Sequence, residues 1–139
     1  MIFDILKLDT PSLNGRIYPH DAMVKAIEEY NEKLTKKALI EVRSGAPEDY
    51  DYKINLSDVA FMYDKLYIED NIVKVNAIPM NTPKYEVLDR YCNARMSSID
   101  IIVEVYPIML GVVGNDKVVS DISFIGLYIS SSQFEVAEK

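Results

Sequence analysis

Residues 99 to 105 alternate: Ile99, Ile101, Val103 and Val105 fall on one side, Asp100, Ile102 and Glu104 on the other. A period of two is the signature of a half-buried strand, and such a strand must find a sheet to cover its apolar face. The same alternation sets Val73, Val75 and Ala77 against Ile72, Lys74 and Asn76. Strand-like runs also occur at Ile2–Leu8, closed by Asp9-Thr10-Pro11-Ser12, and at Ala38–Val42. Two more lie at Ile54–Ile68 and Ile72–Pro79, joined by Glu69-Asp70-Asn71, which has hairpin-turn chemistry. A final strand or pair is expected over Lys117–Ile129, after a turn region at Gly111–Asp116.

Helical periodicity appears in only two places. Pro19 suits a helix start, and Ala22, Met23, Ala26, Ile27, Tyr30 and Leu34 then recur every three or four residues. Lys25, Glu28, Glu29, Glu32 and Lys33 take the other face, so an amphipathic helix is predicted over Asp21–Lys36. Lys36 and Lys37 would then meet the negative end of its dipole. Thr82-Pro83 offers a capping hydroxyl and a first-turn proline for a second helix reaching Cys92, with Val87, Leu88 and Tyr91 as its inner stripe. Strands in consecutive runs with two helices predict an α+β fold: a mainly antiparallel sheet or barrel of about six or seven strands. The 139 residues suit one domain over residues 1–139, with no linker or repeat.

Several function classes are excluded on composition. Fifteen basic against 22 acidic side chains give a net charge of −7, the wrong sign for binding nucleic acid. A single cysteine, Cys92, and a single histidine, His20, leave no disulfide framework, thiolate zinc site or two-histidine metal site, and no cofactor is implied. Cys92 near the end of the second helix meets the negative pole of the dipole, which does not activate a thiol, so it reads as structural. Glu48, Asp49 and Asp51 lack the ligand spacing of a calcium loop and read as a solvated acidic loop with Ser44-Gly45-Ala46-Pro47. Met1–Lys7 has no signal-peptide pattern and no apolar run approaches about 18 residues, so the expectation is a soluble protein of a reducing compartment with no membrane partner.

One segment is denser than the rest. Asn14-Gly15-Arg16-Ile17-Tyr18-Pro19 compresses a turn, a guanidinium, an aromatic ring and a helix-starting proline into six residues. Turn geometry, packing and capping account for each of them structurally. Taken together, this stretch resembles the prohead, or capsid-maturation, proteases of tailed bacteriophages, serine peptidases related in fold to the herpesvirus assemblins. Their N-terminal part has a short strand, an Asn-Gly-Arg-Ile/Val-Tyr-Pro motif and an amphipathic helix, as residues 2 to 37 do here. Ile54–Val59, Val73–Asn81 and Thr82-Pro83 are similar to the family's central hairpin and following helix, and Val118–Tyr128 to its last strand.

The chain departs from that pattern where the chemistry would be. The family carries its histidine in a Gly-Glu-Leu-x-His-Pro stretch after the first helix; here Ile40-Glu41-Val42-Arg43-Ser44-Gly45 stands there, keeping Glu41 and placing Ser44 where the base belongs. A hydroxyl cannot act as base toward another hydroxyl at neutral pH. The family's nucleophile sits in Ser-Ser-Arg-Gly; this chain has Ser97-Ser98-Ile99-Asp100, without the arginine and glycine associated with oxyanion support. The resemblance therefore implies a pseudoenzyme, a non-catalytic phage structural protein, auxiliary to or decorating a capsid. Its partners would be the major capsid protein or other virion proteins, with self-association left open, and its location the virion after synthesis in the host cytoplasm. Tyr50, Tyr52 and Tyr63 are the candidate surface aromatics for such contacts. The alternatives are an active maturation peptidase pairing Ser97 or Ser98 with His20, and an assembly factor inside the prohead.

Overall fold

A computed structural model describes residues 1–11, 15–34, 36–43, 55–95, 99–113 and 116–130. In chain order the elements are β1 (Ile2–Lys7), β2 (Arg16–Ile17), α1 (His20–Lys33), β3 (Ala38–Arg43), a 3₁₀ turn (Leu56–Asp58), β4 (Val59–Tyr63) and β5 (Leu66–Glu69). There follow β6 (Ile72–Asn76), β7 (Ile78–Pro79), α2 (Pro83–Arg95), β8 (Ile102–Val113) and β9 (Asp116–Ser130). The fold is α+β and mainly antiparallel, as the sequence predicts. The described strands outnumber that estimate because β2 and β7 have two residues each, too few to leave a periodicity.

The strands form two sheets, one ordered β1-β6-β5 and one ordered β2-β9-β3-β4-β7 in which β8 also pairs with β9. Among the described residues only β2 and β3 run parallel to their partner β9. The hairpin between β5 and β6 turns on Asp70 and Asn71, with φ of 55° and 59°, the left-handed pair that a tight two-residue turn requires. Val73, Val75 and Ala77 are fully buried, as their alternation demands. The run Ile72–Pro79 nevertheless serves both sheets: β6 pairs with β1 and β5, and β7 pairs with β4. The predicted loop at Gly111–Asp116 is largely strand, since β8 continues to Val113 and β9 begins at Asp116.

Helix α1 lays Met23, Ala26, Ile27 and Tyr30 on the core. Two polar contacts fix its seating. The Tyr30 and Tyr63 hydroxyls meet at 2.6 Å, and the Asn31 side chain accepts from the Leu66 N–H at 3.0 Å while donating to the Leu66 carbonyl at 2.9 Å. Tyr63 is therefore a core residue, 1% exposed, and no surface aromatic; Tyr50 and Tyr52 lie outside the described residues, as do Glu48, Asp49 and Asp51. Burial pushes both phenols above their usual pKa, Tyr63 further because the Tyr30 oxygen faces it. The helix stops at Lys33 and Leu34 is extended, so Lys36 and Lys37 lie past the helix end and only Lys33 is in its last turn. Phe61 joins the layers: its ring meets Phe3 of β1 and Tyr85 of α2 edge-on, each at 5.5 Å. No helix among the described residues is long and apolar enough to cross a membrane.

Helix α2 starts as its Thr-Pro predicts. Thr82 Oγ1 accepts the Tyr85 N–H at 3.2 Å and donates to the Val59 carbonyl at 2.6 Å, so one hydroxyl both caps the helix and ties it to β4. The inner face is Tyr85 and Leu88; Val87 points outward, 63% exposed, because Phe61 draws Tyr85 inward and turns the helix accordingly. The side chains of Tyr91 and Cys92 lie outside the described residues. Thr82→Val should cost about 1–2 kcal/mol in urea unfolding, by stranding a donor and an acceptor, whereas Thr82→Ser should retain most of the stability.

Candidate functional site

The stretches that would carry peptidase chemistry adjoin β3 and β8. Both strands border β9, with Glu41 of β3 and Ile102 of β8 each in register with Tyr128. Because β3 is parallel and β8 antiparallel to β9, the C-terminal end of β3 and the N-terminal end of β8 fall at one end of the sheet. Ser44, Ser97 and Ser98 lie outside the described residues, as does Asn14. Their described neighbours Arg43 and Ile99 mark that end.

A charge cluster occupies it. Glu41 is 5% exposed; its Oε1 accepts from Arg43 Nε at 3.4 Å and its Oε2 from the Asn55 N–H at 3.1 Å. Arg43 reaches across β9, its guanidinium 4.4 Å from the centre of the Tyr128 ring, and Nη1 donates to Glu104 Oε2 on β8 at 3.2 Å. Period-two geometry explains the reach: Glu41 and Arg43 are two apart on one face of β3, and Tyr128 and Glu104 lie on the same face of the neighbouring strands. Two carboxylates thus share one guanidinium stacked on an aromatic face. The arrangement can hold the ends of β3 and β8 together and anchor the return of the chain at Asn55. Glu41 was singled out in the sequence; Arg43, Glu104 and Tyr128 were not. The alternation Glu41-x-Arg43 on a strand was the one local signal available.

The Asn-Gly-Arg-Ile-Tyr-Pro motif lies at the other end of β9. Gly15 takes φ +75°, and its carbonyl accepts the Lys117 N–H at 3.2 Å. Arg16 and Ile17 pair with Lys117 and Val118, and Tyr18 is buried with its carbonyl taking the Asp9 N–H at 2.9 Å. Pro19 is the residue before the first helical turn rather than inside it, and it has no side chain able to cap. Asp9 caps instead: Oδ1 accepts the His20 N–H at 3.0 Å, and Oδ2 accepts Asn71 Nδ2 at 2.9 Å. These bonds, Asn71 first and His20 second, hold the Asp9 carboxyl below the usual carboxylate range. The His20 ring lies beside Asp21, Nδ1 to Oδ1 at 3.3 Å. Helix α1, 14 residues and so about 21 Å long, separates His20 from the segment leading into β3. His20 follows β2, which pairs at the start of β9, while Arg43 pairs at its end.

Among the described residues no three His, Cys, Asp or Glu side chains stand together as a metal-ligand set. No protein-family model matches the chain, and neither does any curated protein sequence. In three dimensions the chain is similar to the capsid assembly protease of bacteriophage T4, gp21, with a TM-score of 0.71 over 94% of this chain and 79% of that one. Identity between the two is 18%, so the likeness is one of fold. The prohead-protease-like architecture implied by residues 14 to 19 is thereby present in the structure.

The charge cluster predicts that Arg43→Met lowers stability by about 3 kcal/mol in urea unfolding, since it takes the guanidinium away from the buried Glu41 carboxylate. A double-mutant cycle with Glu104→Gln should return a coupling of about 0.5–3 kcal/mol, and none would mean that the contact is idle. For Asp9 the folded pKa lies below the unfolded one, so its contribution is present above the unfolded value, about 3.9, and is lost as pH falls through the folded value. The stability of the wild-type protein relative to Asp9→Asn should therefore be constant above about pH 5 and shrink below about pH 4, measured by denaturant titration at each pH.

Proposed function

We propose that this chain is a non-catalytic structural protein on a capsid-protease fold, bound as an auxiliary or decoration protein to the major capsid protein or to other virion proteins. The reading rests on one juxtaposition: the fold matches a phage capsid protease, while Ser44 stands where the resembling family carries its histidine. Two further features support it. Ser97-Ser98 runs into Ile99-Asp100 where the family has arginine and glycine, and the carboxylates at this end of the sheet are engaged by Arg43 and a backbone N–H. Residues 1–139 then act as one domain that holds a surface. A fold passes readily from one function to another, and chemistry is lost more easily than shape.

The test is a quantitative mass-spectrometric census of purified mature particles. An auxiliary capsid protein should be present in tens to hundreds of copies per particle, and particle processing should proceed unchanged with Ser97→Ala and Ser98→Ala. Presence in proheads with absence from mature heads would make it an internal assembly factor. Arrest of processing by either serine substitution would make it a peptidase.

A further inference from the structure

We draw no further inference here: the strongest candidate, the cleft of about 390 Å³ between β3 and β9, is lined by groups of both charge signs, Lys37 and Arg43 against Glu104, and nothing in the structure shows what covers it.

Discussion

Strand β9 holds this fold together by breaking its own alternation twice. A 15-residue strand with strict period two would keep one straight face toward the core. Among the described side chains of β9 the buried ones are instead Val119, Ile122, Phe124, Leu127 and Ile129, with two steps of three among steps of two. The step from Phe124 to Leu127 coincides with a register shift against β8 between Glu104 and Val105, and the step from Val119 to Ile122 spans two, between Pro107 and Met109 and between Met109 and Leu110. The bulges reset which side faces inward and let the strand bend. Bent in this way, β9 receives β2 at its start and β3 at its end, and α1 lies across the span between them with Tyr30 against Phe124.

The position of the charge cluster follows from that bend. The second bulge leaves Ile125 outward and brings Gly126 opposite Glu104, next to the Tyr128 ring on which Arg43 lies. Desolvating two carboxylates and a guanidinium offsets most of what their attraction returns, so the cluster contributes little net stability while remaining costly to break. Its effect is one of registration: β3 and β8 meet β9 from opposite edges, and Arg43 fixes the two to each other directly.

Local rules made much of this legible. The two helices follow from their apolar spacing and the Thr82-Pro83 start, the β5–β6 hairpin from Asp70-Asn71, and the burial of Val73, Val75 and Ala77 from alternation. What escaped was long-range. Nothing near Ile17 announces a parallel partner a hundred residues away in sequence, and nothing in Ile72–Pro79 says that one apolar run divides between two sheets. Val87 looked as apolar as Leu88; which of them faces inward was decided by where Phe61 seats Tyr85. Arg43 and Glu104 are 61 residues apart, and no periodicity connects them. The six-residue motif at Asn14–Pro19 pointed to the architecture, yet its described residues serve backbone geometry and the start of α1 through Asp9.

Asn31 has a further consequence. Its amide engages both the N–H and the carbonyl of Leu66, the first residue of an outer strand of the sheet β1-β6-β5. That side chain does what a neighbouring strand would do, and it blocks the first hydrogen-bonding position from which another chain would begin to add. Two copies of the chain are thereby hindered from joining edge to edge through β5. Association must use surfaces that the fold leaves open for it, so one buried-side amide on a helix limits which contacts between molecules can grow.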